Sequence, residues 1–209
     1  VYSGPIAGTA YRLLMGGSWD RIVMLGPSHF MAFSGLALPE TQALATPLGE
    51  VGVDTEGSGD LLEHETVHVS AAAHRREHSL EVQLPFLQVV APGVPVLPVL
   101  TGDVQPEAGA DAIEPLLDAG TLLLVSSDLS HYHDAETARD LDEATAAAIV
   151  RLDWESLEWQ SACGRAGIQI ALEIARRRNQ QVQLLDLRNS ADTAGTPDRV
   201  VGYGAFAIG

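Results

Sequence analysis

At 209 residues, 46% of them hydrophobic, the chain is long enough to bury one sizeable core and reads as a single domain over 1–209. Its 28 acidic residues against 12 basic ones, all arginine, leave a net charge of −16. That charge repels phosphate backbones and argues against nucleic acid as a partner. No apolar run reaches the roughly 18 residues a membrane span needs, so no membrane attachment is expected. The lone cysteine, Cys163, excludes an intrachain disulfide framework, and with no signal-peptide pattern in view a reducing, cytoplasmic setting is expected.

In chain order, Pro5 to Leu14 reads as a helix, with Ser3 as its cap, Pro5 in its first turn and Gly16-Gly17 as its stop. Arg21 to Leu25 (RIVML) is a short buried strand that runs into the turn Gly26-Pro27-Ser28-His29. Residues 34–54 alternate apolar pieces with glycine and proline, as an irregular hairpin region does. From Glu81 to Val90 the apolar residues Val82, Leu84, Phe86, Leu87 and Val90 stand at mixed helical spacing, with Gly93 after them. Val94 to Leu100 and Thr121 to Val125 read as strands, separated by an acidic helix near 106–118. Helices fill 134–178, and Gln181 to Leu187 and Arg199 to Ile208 close the chain as strands. This alternation predicts an α/β fold, a single layered domain whose central sheet is mostly parallel or mixed and is flanked by helices. In such folds ligands collect beyond the carboxyl ends of the strands, which makes Ser28-His29 and Ser127 to His131 candidates.

Several patterns carry possible chemistry. His64-Glu65-Thr66-Val67-His68 is a formal H-E-x-x-H, which on a helix holds zinc between two imidazoles. Here Val67 to Ser70 alternates like a strand, glycines lie close upstream and no third ligand follows, so a polar surface segment is the better reading. His74 and His78 share i, i+4 spacing and can chelate on a helix face. Glu77-His78-Ser79 reads as a helix start with His78 or Ser79 near the cap. Glu77 there either favours the helix dipole or tunes His78 as an acid or base. Cys163, in "SACGRAG" before an apolar helix and near Arg165, is expected to have a depressed pKa that suits a nucleophile or soft ligand. A buried small residue is its plain alternative. Asp128 is either an Asx-type cap or a functional carboxylate, and His131 either a turn residue or an acid/base. His133 stands nearer an exposed helix start and is the weaker candidate.

An ordered series of stretches resembles the Memo family: "VYSGPIAGTAY" at 1–11, "VMLGPSH" at 23–29, "AHRREHSLEVQLPFLQ" at 73–88, "VSSDLSHY" at 125–132, "CGRAGI" at 163–168 and "NSADTAGTPDRVVGYGAFAI" at 189–208. Memo proteins are similar to the class III extradiol dioxygenases, non-haem iron enzymes in which two histidines and a carboxylate hold the metal and another histidine moves protons. The resemblance implies an extradiol dioxygenase-like fold and a metal site with His29 as a ligand and Cys163 in place of the carboxylate. It implies His131 as acid/base supported by Asp128, and Glu77 and His78 as catalytic residues of the same cleft. The implied cofactor is iron(II) or copper, which an imidazole with a thiolate suits better than magnesium or calcium. The family's other ligand histidine belongs to an "HAGY"-like segment ahead of "YSGP". With the sequence starting at Val1, that N-terminal part of the motif is expected to be missing, leaving His29 and Cys163 as the protein ligands. The implied partners are a radical-SAM protein and an AMMECR-type protein, with a small molecule or peptide as ligand.

Three functions follow as expectations. The first is a metal-dependent redox enzyme of unknown substrate, with His131 moving protons. The second is a non-catalytic module that binds a peptide or an anion in the inherited cleft. The third is a hydrolase or transferase with Cys163 as nucleophile and His131 as base.

Overall fold

The computed structural model describes residues 1–209. In chain order its elements are α1 (Gly4–Arg12), β1 (Arg21–Pro27), β2 (Leu36–Leu38), the hairpin of β3 (Ala43–Thr46) and β4 (Gly49–Gly52), α2 (Thr55–Leu61), β5 (Val67–Val69) and α3 (Ala71–His74). A 3-10 turn at Glu81–Gln83 leads into α4 (Leu84–Val90), followed by β6 (Val96–Thr101), α5 (Pro106–Ile113) and β7 (Thr121–Val125). The last third carries β8 (His131–His133), α6 (Ala135–Val150), α7 (Arg165–Arg177), β9 (Val182–Asn189) and β10 (Val200–Ile208). No helix is long and apolar enough to cross a membrane. The chain divides into two compact units, Met15–Ser126 and Val1–Leu14 with Ser127–Gly209. The fold class is α/β, as the alternation of elements predicts.

The unit of residues 15–126 is built on a five-stranded mixed sheet in the order β5-β2-β6-β1-β7. β1 lies between β6 and β7 and runs parallel to both, while β2 is antiparallel to β6 and parallel to β5. Ile22 to Leu25 and Val96, Leu97, Val99 and Leu100 are completely buried. An uninterrupted apolar run is what a strand covered on both faces needs, which is why RIVML lacks the alternation of a half-exposed strand. α4 is held by Leu80, Leu84 and Leu87, all buried, at the 4- and 3-residue steps of one helix face. Val82, which the mixed spacing counts among the apolar set, is half exposed instead.

The unit of residues 1–14 and 127–209 has an antiparallel sheet in the order β8-β10-β9. Ile6 and Ala10 of α1 pack with Val201, Tyr203 and Ala205 on one face of β10, as side chains two apart on a strand share a face. Ala148, Ile149 and Leu172 of α6 and α7 form a second cluster with Val182 and Phe206. The register shift between Ala205 and Phe206 is consistent with a β-bulge at this end of β10. Ser3 does not cap α1 through its side chain, as the sequence suggests. Its carbonyl accepts the N–H of Ile6 and Ala7, so the helix start is satisfied by backbone. Asp134 does cap α6, accepting from the N–H of Glu136 and Thr137.

Candidate metal and proton-transfer groups

In the unit of residues 15–126, His29 stands two residues beyond the end of β1. The strand ends are stitched together here: Thr101 Oγ1 donates to the Gly26 carbonyl (3.2 Å) and the Ser126 amide to the Leu25 carbonyl (2.8 Å). Gly26 permits a close approach, because a Cβ on it would meet Leu80 Cδ2 at 2.6 Å and Ser79 Oγ at 2.9 Å. The segment 77–80 therefore lies directly against the end of β1. Ser79 Oγ donates to the Pro27 carbonyl (2.9 Å), Ser126 Oγ to the Ser79 carbonyl (2.6 Å) and Gln83 Nε2 to Ser126 Oγ (2.8 Å).

This packing carries Glu77 to His29. The Glu77 side chain is only 2% exposed, and its carboxylate is surrounded by N–H groups. Oε2 accepts from the His29 amide, and Oε1 accepts from the amides of His78 and Ser79, each at 2.9 Å. His29 Nδ1 also lies 2.9 Å from Oε1. Burial alone would raise the Glu77 pKa, but the hydrogen bonds from His29, Ser79 and His78 outweigh it and hold the carboxyl at about 2. A carboxylate so placed accepts a proton-bearing Nδ1, which leaves the lone pair of the imidazole on Nε2. His78, whose side chain is 57% exposed, stacks on His29 with centroids 5.5 Å apart and planes at 21°. His29, Glu77 and His78 present ligand atoms within 4.8 Å of one another, and this group could hold a metal ion.

Two sequence expectations are corrected. His74 does not pair with His78, because its Nε2 lies 2.9 Å from the Ala37 carbonyl and α3 ends at His74 itself. Burial lowers its pKa, as it does for an imidazole held mainly by one backbone acceptor. Nor do His78 and Ser79 cap a helix with their side chains: their amides turn to the Glu77 carboxylate, and the following 3-10 turn has no side-chain cap. The formal H-E-x-x-H falls on a turn and the start of β5. That placement removes the helical face such a motif needs, in line with the surface reading.

In the other unit, Asp128 and Cys163 are tied by their backbones. The Cys163 amide donates to the Asp128 carbonyl (3.1 Å), and the Asp128 amide donates to Cys163 Sγ (3.2 Å). Ser127 Oγ accepts from the Gly164 amide at 2.8 Å, just ahead of α7, and lies 3.8 Å from Cys163 Sγ. The expected acidic thiol is a correction: burial pushes the Cys163 pKa up, against the smaller opposing effect of the Asp128 amide. Arg165 does not offset this, since its guanidinium reaches the Leu157 carbonyl at 3.4 Å. His131 Nε2 is 3.9 Å from Asp128 Oδ2, an ion-pair distance too long for a hydrogen bond. His133 is exposed at the end of β8. Between the two histidines Tyr132 adopts φ 65°, an uncommon conformation for an aromatic residue, with the Arg199 guanidinium 4.4 Å above its ring.

Two residues near this group were not singled out from the sequence. Asp142 of α6 is 3% exposed and accepts the Ser130 amide at 2.9 Å, next to His131. Burial raises its pKa. The signal was its position in the apolar stripe of Ala138, Thr145, Ala146 and Ile149, where a carboxyl must find a partner. Burial first, and then the charge of Asp128, raise Tyr203 to about 12. No local pattern marks that tyrosine, because β10 brings it in from the far end of the chain.

Comparison with known proteins agrees over the whole length. The family model described as Memo-like protein matches residues 1–207. A MEMO1 family protein of Sulfolobus acidocaldarius is 34% identical over 100% of this chain and 79% of its own. One from Nitrosopumilus maritimus is 31% identical over 99% of this chain and 80% of its own. Among solved structures, an uncharacterized protein of Escherichia coli K12 superposes with a TM-score of 0.60, covering 98% of this chain and 93% of that one. At 14% identity that likeness shows the fold alone.

Proposed function

The chain belongs to the family of Memo-like proteins, and on that footing we propose that it is a non-haem metal protein of dioxygenase-like ancestry that carries out redox chemistry on a small substrate. The observation that carries this reading is the pairing of His29 with the buried Glu77 carboxylate, beside the stacked imidazole of His78. Two imidazole nitrogens, that of His29 backed by a carboxylate on its other ring nitrogen, would suit iron(II) or copper. Such an ion supplies Lewis acidity and one-electron chemistry when bound.

The roles of the chain's own residues follow from their contacts. Glu77 fixes the tautomer and orientation of His29 and so acts through it, rather than as the acid or base that its neighbourhood in sequence suggests. His78 brings a second imidazole to the same group. In the other unit, His131 Nε2 is the atom that moves the proton, with the Asp128 carboxylate 3.9 Å away. Cys163, a protonated thiol by its burial, would become a ligand only if a metal displaced that proton to solvent. Its raised pKa counts against the nucleophilic hydrolase reading.

The test is metal analysis of the chain purified without oxygen, alongside His29→Ala and His78→Ala. The expected result is about one iron or copper per chain, lost on replacing His29. Unchanged metal content in His29→Ala overturns the proposal.

A further inference from the structure

We propose that Arg76, seated on Phe30 beside the His29–Glu77–His78 group, receives the carboxylate of a small monoanion whose apolar body rests on Phe30 and Met31. This deepens the reading of that group as the working site by naming the class of substrate it takes.

The Arg76 guanidinium carbon lies 4.9 Å from the centroid of the Phe30 ring, a cation–π distance. Phe30 in turn stands 6.1 Å from the ring of His78, which stacks on His29. These side chains form one continuous run from a fixed positive charge to the imidazoles. Phe30 is 51% exposed and Met31 40%, so the run offers apolar surface to a ligand.

Arg21, Arg151, Arg176, Arg177 and Arg188 each pair with an aspartate or glutamate. Arg76 has no such partner, although the chain carries 28 acidic residues. Arg12, Arg75, Arg139, Arg165 and Arg199 also lack a carboxylate partner, so what singles out Arg76 is an unpaired charge seated on Phe30 next to His78. The adjacent carboxylate, Glu77, is occupied by the amides of His29, His78 and Ser79 and by the His29 ring. A guanidinium resting on a ring keeps its in-plane N–H donors for a carboxylate, which it grips in bidentate fashion. The net charge of −16 opposes dianions more than monoanions at long range, which favours a carboxylate over a phosphate ester.

The probe is benzoate, titrated calorimetrically into the full chain at fixed pH and salt, with acetate and benzyl alcohol as its charge-only and ring-only counterparts. Benzoate is expected to bind more tightly than either. Arg76→Gln should weaken benzoate about tenfold, the loss of a charge-assisted hydrogen-bond pair, and Arg76→Lys should lie between. Phe30→Ala should remove the advantage of benzoate over acetate. Binding in Arg76→Gln within about twofold of the parent, benzyl alcohol binding as well as benzoate, or no saturable benzoate binding would each overturn the proposal. Metal content measured on the same samples separates the two readings: metal without Arg76-dependent benzoate binding sinks this inference alone. Benzoate binding through Arg76 on a chain that takes no metal sinks only the proposed function.

Discussion

The Glu77 carboxylate holds His29 twice, accepting the His29 amide on one oxygen and standing 2.9 Å from the ring Nδ1 on the other. Both atoms of this grip come from one residue, so ring and backbone move together. The pairing predicts that neutral His29 carries its proton on Nδ1 and presents Nε2 unprotonated. Nitrogen-15 NMR of the imidazole in wild type should show this tautomer, and Glu77→Ala should return the ring to the Nε2–H form preferred by free histidine.

Cys163 should be slow to react. Burial raises its pKa, so the thiolate fraction at neutral pH falls below that of a free cysteine. Iodoacetamide at about pH 7.5 is expected to modify Cys163 more slowly than glutathione, because burial lowers the thiolate fraction. Modification faster than glutathione would restore the nucleophile reading.

Gly202 and Asp142 should be strongly coupled. A Cβ at Gly202 would stand 2.4 Å from Asp142 Cγ, closer still to its Oδ2, while Asp142 Oδ1 accepts the Ser130 amide. Gly202→Ala is expected to cost about 2–3 kcal/mol through overpacking, and Asp142→Ala about 1–3 kcal/mol through the orphaned amide. The double variant should be more stable than the sum of the two losses implies, by about 1 kcal/mol or more, because the clash disappears with the carboxylate. Urea unfolding of the three variants measures this directly, and strict additivity would refute it.

Much of this architecture is legible in sequence, and the exceptions share a cause. RIVML announces a buried strand because both faces of the sheet there demand apolar side chains, and Gly26-Pro27-Ser28-His29 marks where it ends. TLLLV reads as a strand and forms the half-buried edge of the same sheet. The Memo-like stretches pick out His29, Glu77, His78, Asp128, His131 and Cys163. Local reading fails where a contact bridges distant positions. Glu77 reads as a helix-start residue, and its grip on His29, 48 positions away, depends on the close approach at Gly26. The environment of Cys163 likewise depends on Asp128, which no helix-start argument includes. β8 is too short, and its Tyr132 too unusual in conformation, for alternation to reveal it.

Acid should expose the pairing of Glu173. Its side chain is 2% exposed and accepts from Arg176, Arg177 and the Trp154 indole. The Arg176 hydrogen bonds lead in lowering its pKa from 4.5 to about 2. The folded value is depressed, so its contribution is fully present above pH 4.5 and is lost as the pH falls toward 2. Arg176 is largely exposed, which screens the pair, so the contribution is about 1–2 kcal/mol. Between about pH 5 and pH 2.5 the parent should lose about that much more stability than Glu173→Gln. Parallel pH profiles for the two chains would show that the network does not stabilise the fold.

The central claim, that Glu77 builds a metal ligand out of His29, is tested most directly by competitive metal titration of the parent, His29→Ala and Glu77→Gln under nitrogen. The account predicts that His29→Ala abolishes tight iron(II) or copper binding and that Glu77→Gln, still folded, binds about 10–100-fold more weakly. Parent-like affinity in both variants would contradict it.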